Sequence, residues 1–244
     1  MINKWQVRRG QEAQFAAQIR KLARPIAAIV AAHTNSFGLI DDAGALDAAM
    51  SGYRRAIEPW ARSVSNGMIA RIDAGNLRAW NSLSKEIGVR LRSQITGAGI
   101  GQRIRELHEG QVALITSLPR EAAARAQKLS QQAVSQGRRA SEVAKDIAAT
   151  EDVTVGRATL IARTEIAKTN SSITQARSES VGAPSYFWRT MKDQSVRPAH
   201  RAMEGELIDW ADPPEVGDEG RHHAGVIYNC RCYPEPVLGG KFFA

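Results

Sequence analysis

Cys230 and Cys232 lie near the C-terminus with one residue between them, and they are the only cysteines in the 244-residue chain. In an extended strand that spacing turns both thiols to the same face. Such a pair suits either one soft metal ion or two small buried side chains. Cys230, Cys232, His200 and His223 (or His222 in its place) supply four soft or borderline ligands, the number that tetrahedral zinc takes. The one-residue gap differs from the Cys-x-x-Cys knuckle, whose longer gap lets backbone amides bond the sulfurs. A small β element with long loops would gain stability from a metal clip. The competing reading makes the cysteines small buried hydrophobes and puts the histidines on a surface loop; residue chemistry alone favours this second reading. Two cysteines are too few for a disulfide scaffold.

Asp193, Arg197 and His200 follow one another at spacings of four and three. A turn over 193–196, followed by a short helix or turn to His200, brings all three to one cleft. A histidine beside a carboxylate is a candidate general base or metal ligand. With Asn229 and the His222/His223 pair, the set resembles metal nucleases that place His, Asn and His around one ion. A His–Asp hydrogen bond more often simply locks a loop, and that is the preferred reading. Arg163 and Glu165 are two apart on a helix and do not face each other. Arg163 is expected to reach an acid of the C-terminal part, such as Asp193, through two-pronged hydrogen bonds, and Glu165 to pair locally with Lys168. No nucleophile or base stands beside these groups, so no residue receives a catalytic role and the chain is not expected to be an enzyme.

The elements that carry these residues are mostly helical. Residues 11–32 place Phe15, Ile19, Leu22, Ile26 and Ile29 three or four apart, with Pro25 expected to kink or split the helix. A second helix is predicted from Ala45 to about Met68, interrupted at Pro59, and a third from Leu77 to Gln94. Thr96–Gly101 reads as a glycine-rich joint; it lacks the preceding strand and following Lys-Ser/Thr of a phosphate loop. Further helices are predicted over Ile104–Leu118, closed by Pro119, and over Arg120–Gln136. A short one follows, capped by Ser141, and then a long one from Val155 to about Val181, capped by Thr154 and ended by Gly182. Beyond Pro184 the composition turns aromatic. Tyr186–Trp188 reads as a strand with Phe187 and Trp188 in its core, Asp209–Gly220 as an acidic surface loop, and Gly225–Val237 as a second strand. The fold class is therefore α+β: a mostly helical N-terminal part followed by a long helix and a small loop-rich β element. The expected division is a helical region over 1–100, whose role is unassigned, and a domain over 101–244. That domain comprises a helical lead-in over 101–182 and a small α+β module over 183–244.

Hydrophobic residues make up 43% of the chain and charged residues 24%, which suits a folded core rather than disorder. No apolar run approaches the roughly 20 residues of a membrane helix, and no signal core follows the basic N-terminus, so a cytoplasmic product without membrane contact is expected. The net charge of +8 is uneven. Residues 1–150 carry 22 basic and 12 acidic side chains, and residues 151–244 carry 11 and 13. The basic excess is dispersed, so it fits either solvated helix faces or an attraction for double-stranded DNA.

The ordered stretch from Arg163 to Pro236 carries more than its parts. It contains Ala162-Arg163-Thr164-Glu165, then Trp188, Asp193, Arg197, His200 and Gly205 at fixed intervals, then Cys230-Arg231-Cys232. In order and spacing this resembles the phage Mu protein F-like family of minor head, or head morphogenesis, proteins. The family's segment before Cys-Arg-Cys often has a His-Pro-Gly-like turn, which here reads His222-His223-Ala224-Gly225. The resemblance implies a low-copy structural component of a tailed-phage virion, made in the host cytoplasm and located in the capsid interior or near the portal. Its implied partners are the portal protein and capsid shell, with packaged DNA within reach. Two other readings remain: a metal-dependent nuclease or phosphotransfer enzyme using His200, Asp193 and His223, and a basic DNA-binding protein.

Overall fold

The computed structural model of the chain describes residues 3–87, 91, 95 and 98–238. The helix expected over 11–32 is two helices, α1 (Arg9–Arg20) and α2 (Ala23–Ala32). Pro25 splits the pattern by sitting in the first turn of α2, where its missing N–H costs nothing.

The other prolines do not end helices. α3 runs unbroken from Ala43 to Glu86 through Pro59, and α4 from Ala98 to Ser135 through Pro119. The interruptions expected at both prolines, and the separate helix from Leu77, are therefore corrected. A proline inside a helix costs about 3 kcal/mol, and the buried stripes show what offsets it. In α3 Leu46, Met50, Ile57 and Ala61 keep helical spacing across Pro59, while Arg55, whose carbonyl loses its partner, is exposed. In α4 Val112, Ile115, Leu118, Ala122 and Ala126 do the same across Pro119. Each large buried side chain contributes about 1.5–3 kcal/mol. Gln94 and residues 96–97 of the glycine-rich joint lie outside the described residues; Ala98–Gly101 is the first turn of α4.

α5 (Ala140–Ala148) has Arg139 at its N-cap, without a side-chain bond, so Ser141 is not the cap. α6 (Thr150–Ser180) starts before Thr154, whose hydroxyl donates to the Thr150 carbonyl from inside the helix. Glu151 and Asp152 occupy its first turn, where the helix dipole favours acids. The end of α6 is as expected. Gly182 has φ +70, its N–H bonds the Glu179 carbonyl, and the Ala183 N–H bonds that of Ser178. This is the paired Schellman closure that glycine permits.

The C-terminal part holds β1 (Ser185–Arg189), α7 (Pro198–Ala202), β2 (Leu207–Asp209) and β3 (Tyr233–Val237). They form an antiparallel sheet in the order β2-β1-β3, with Tyr186 opposite Ile208 and Pro236, and Trp188 opposite Pro234. The expected second strand is shorter than 225–237, because residues 225–232 form a loop. Pro234 and Pro236 fit β3 because alternate prolines on an edge strand leave the intervening residues to make the ladder bonds. Tyr186 and Trp188 are the buried face of β1. Phe187 is only half-buried, on the other face under the Arg189 guanidinium. The segment expected as a surface loop contains buried Trp210 and Val216.

Two compact units result, both discontinuous in sequence. One gathers Met1–Ala13, Asn66–Glu109 and Arg163–Ala244; the other gathers Gln14–Ser65 and Gly110–Ala162. In the second, α2 meets α5, and a buried Ser65–Gln111 hydrogen bond of 2.8 Å ties α3 to α4. In the first, two apolar clusters carry the packing. One groups Trp5, Trp80, Leu91, Ile95, Val181 and Tyr233, and the other groups Tyr186, Trp188, Ile208, Trp210, Cys230 and Cys232. The last turns of α6 are buried although their sequence is polar. Thr174 and Ser178 achieve this by donating to carbonyls one turn back. Arg177, 2% exposed, donates to the Ile95 carbonyl at 3.0 Å, to Asn76 Oδ1 at 2.8 Å and to Asp73 Oδ1 at 2.8 Å.

Candidate metal centre

His200 is placed by α7, a five-residue helix with Pro198 in its first turn and Arg197 at its N-cap. Cys230 and Cys232 come from the loop that enters β3. Two features hold that loop against α6. The Arg163 guanidinium donates to Asn229 Oδ1 at 2.8 Å, and the Asn229 N–H donates to Thr164 Oγ1 at 2.9 Å. Asn229 has φ +55, a left-handed conformation that asparagine tolerates better than most residues. At Gly225, φ +81, a Cβ would lie 2.7 Å from the Cys232 carbonyl oxygen and 3.3 Å from that of Ala167. Glycine alone allows this approach.

His200 Nδ1 lies 3.3 Å from Cys230 Sγ and 3.5 Å from Cys232 Sγ, with all three residues buried. Its other nitrogen, Nε2, lies 2.6 Å from Glu219 Oε2. With Nε2–H donated to Glu219, the neutral ring turns its Nδ1 lone pair to the sulfurs, and the imidazolium instead donates Nδ1–H to Cys230. The Cys232 N–H points at Cys230 Sγ at 3.4 Å, so the one-residue gap does allow an amide–sulfur bond. Trp188 walls the site, its ring edge-on to His200 at 5.5 Å.

Charge around the site is arranged in pairs. Arg197 reaches Glu219 at 3.0 Å, donates to the Tyr228 carbonyl and stacks over the Tyr228 ring. Arg231 donates to Asp193 Oδ1 at 2.8 Å, and Arg163 pairs with Glu12 at 2.9 Å. Burial disfavours the His200 imidazolium, but the hydrogen bonds to Cys230 and Glu219 outweigh it and hold the pKa above the usual histidine value. Burial likewise works to raise Glu219, and His200 and Arg197 hold it below the carboxylate range. The bond from Cys232 pulls the Cys230 thiol down, while the same partnership and burial push Cys232 up.

The structure thus joins part of the expected set. His200, Cys230 and Cys232 converge, with ligand atoms all within 4.8 Å of one another. His223 is turned away. Its Nδ1 lies 3.2 Å from the Tyr186 hydroxyl, and it packs on Trp210. His222 is the neighbour instead, with its Nε2 3.6 Å from Glu219 Oε2; His200, Glu219 and His222 form a second close set. His200 and His222 are buried, contrary to the surface-loop expectation, whereas the cysteines are buried as that reading required. Asp193 is bonded to Arg231 and the Ser195 N–H, Arg163 reaches Glu12 and Asn229, and the carboxylate that meets His200 is that of Glu219. Glu165 is buried, and desolvation raises its carboxyl above the usual range, against the pull of Lys168. Gly205 has φ +88 at the turn between α7 and β2, where its N–H bonds the Trp188 carbonyl.

Sequence reasoning missed Glu219, hidden in a segment read as surface loop. It also missed Arg177 and Glu204, which accepts bonds from both the Thr190 N–H and hydroxyl. A lone acid in an acidic loop carries no periodic signal, so only the fold identifies Glu219 as the partner of His200.

Residues 124–234 match the family model described as Phage Mu protein F like protein. An uncharacterized protein of Haemophilus influenzae is 32% identical over 180 residues, which is 73% of this chain and 39% of that relative. The chain therefore spans about two fifths of the length of that relative. No solved structure matches it.

Proposed function

We propose, from the premise that the chain belongs to the phage Mu protein F-like family, that it is a minor head protein of a tailed bacteriophage acting in head morphogenesis beside the portal. A phage head-related protein is what the family implies; the portal-associated, low-copy role is the finer reading. The observation that carries it is the extent of the match. Residues 124–234 take in the last third of α4, all of α5 and α6, and the motif residues from Arg163 to Cys232.

In this reading the motif residues are architectural. Arg163 and Thr164 hold the loop that delivers Cys230. Arg197 is bound by Glu219, which also fixes the His200 ring, and Arg231 is bound by Asp193, so these side chains hold one another in place. In this reading the protein is a component of the particle. The basic excess over residues 1–150 suits contact with packaged DNA in the capsid interior. No described helix is long and apolar enough to cross a membrane.

The test uses a phage that carries this gene and a derivative that lacks it. Purified particles of the parent should contain the chain in few copies and yield it in complex with portal protein. The derivative should accumulate aberrant or non-infectious heads, restored by the gene in trans. Normal infectious heads from the derivative, together with absence of the chain from parental particles, would refute the reading.

A further inference from the structure

We propose that His200 Nδ1, Cys230 Sγ and Cys232 Sγ bind one zinc ion, which clips α7 to the loop entering β3. The assignment does not depend on the role in the phage head. It rests first on distance. Zinc holds sulfur at about 2.3 Å and imidazole nitrogen at about 2.0–2.1 Å, and a tetrahedral angle between them puts N and S about 3.6 Å apart. The observed separations are 3.3 and 3.5 Å. Both nitrogen–sulfur separations are thus almost those a tetrahedral ion requires, and the three ligand atoms all lie within 4.8 Å of one another.

It rests next on the surroundings. A zinc-bound histidine usually donates its remote N–H to a carboxylate, which fixes the ring and strengthens the ligand. Glu219 does this at 2.6 Å from His200 Nε2, and Arg197 holds Glu219 in turn. The Cys232 N–H on Cys230 Sγ supplies the amide bond that a metal thiolate accepts. Two thiolates neutralise a divalent ion, and Arg197 neutralises Glu219, so no net charge is stranded in a buried place. The fourth position faces a small cleft lined by Ser195, Val196, Arg197 and Asn229, from which a water completes the tetrahedron. His223 is no ligand, because its Nδ1 engages Tyr186. His222 contributes no donor to the set that contains the sulfurs.

Binding leaves both sulfurs as thiolates and releases the displaced thiol protons to solvent. It also explains the surroundings mechanically. The sheet has only three short strands, and the loop over 225–232 has no ladder bonds of its own. A metal tying that loop to α7 replaces the missing hydrogen bonds.

The experiment loads the purified, reduced full-length chain with cobalt(II) and then displaces it with zinc, reading stoichiometry against a chromophoric chelator. One ion per chain is expected, with tetrahedral d–d bands and a thiolate-to-cobalt charge-transfer band. At a free zinc concentration about 100-fold above Kd, the apparent folding constant should rise about 100-fold, seen as a higher melting temperature that a chelator abolishes. His223→Ala should keep the ion, and Cys230→Ser should lose the charge-transfer intensity of one thiolate. If Cys230→Ser fails to fold, the wild-type spectrum still decides. Cobalt bound without a thiolate band would place the ion on His200, Glu219 and His222 and overturn the proposal. Failure to bind stoichiometric metal would overturn it as well.

Discussion

Replacing Arg177 by methionine tests whether the polar end of α6 is held by one buried guanidinium. Methionine keeps the length and flexibility of the side chain but none of its donors. Four acceptors lose this donor: the carbonyl of fully buried Ile95, Asn76 Oδ1, the Asp73 carboxylate and, at 3.4 Å, the Asp73 carbonyl. A buried acceptor left unsatisfied costs about 1–3 kcal/mol, so Ile95 and Asn76 together account for roughly 2–6. Asp73 retains 29% side-chain exposure and is partly rehydrated, adding about 1 kcal/mol. Against this, burying a methionine in place of a desolvated charge returns about 1–2 kcal/mol. The net expectation is a loss of about 3 kcal/mol, close to what removal of one partner of a buried pair costs. In a chain of this size that lowers the melting temperature by roughly 6–12 °C. Urea unfolding of wild type, Arg177→Met and Arg177→Lys measures it. Lysine keeps the charge beside Asp73 but lacks the planar fork, so it should fall between the other two. A loss below about 1 kcal/mol in Arg177→Met would refute the reasoning, because the acceptors would then have found other partners at no cost.

Three further outcomes are expected. Gly225→Ala should destabilise by roughly 2–4 kcal/mol and weaken metal loading, since its Cβ meets the Cys232 carbonyl in a left-handed conformation; urea midpoints and cobalt titration check it. Burial works to raise Glu204, but its bonds to Thr190 and its attraction to Lys192 hold it below the ordinary carboxylate value. A depressed carboxylate stabilises above its unfolded pKa and loses that contribution as pH falls through the folded one. Glu204→Gln should therefore cost about 1–2 kcal/mol at pH 7 and nothing at pH 2, by urea midpoints at each pH. Glu165 carries the opposite sign: its carboxyl is raised by burial, so its charge costs stability once pH exceeds the ordinary carboxylate range. Glu165→Gln should raise the melting temperature at pH 7, with the gain vanishing at pH 3.

The zinc proposal changes what the Cys-Arg-Cys motif is for. Residue chemistry favoured two inert buried thiols, and the thiols are buried. Yet the same burial brings His200 Nδ1 to both sulfurs, with the Glu219 carboxylate behind the ring. Arg231, between the cysteines, bonds Asp193 at 2.8 Å and so anchors the loop from its outer side.

What the sequence determined by itself was local or ordered along the chain. Gly182 ends α6 because only a residue free to take φ +70 can close that helix, and a glycine followed by Pro184 announces it. The aromatic turn of composition after Pro184 marks β1, and the α+β class follows from a helical pattern giving way to a short strand pattern. The order of Arg163, Trp188, Asp193, Arg197, His200 and the cysteine pair identifies the family, because order survives without knowledge of contacts. What the tertiary structure alone decided was who meets whom. Pro59 and Pro119 were read as breaks, because a proline's cost is local while the apolar stripe that offsets it is satisfied only by packing. His222 and His223 are adjacent in sequence, and the loop after Glu219 decides which turns towards His200 and which towards Tyr186. Asp193 takes Arg231 and Arg163 takes Glu12 and Asn229, because charged side chains pair with whatever the backbone brings within 3 Å. Partners separated by 38 to 151 residues are set by the folding of the whole unit, and no spacing rule along the chain encodes them.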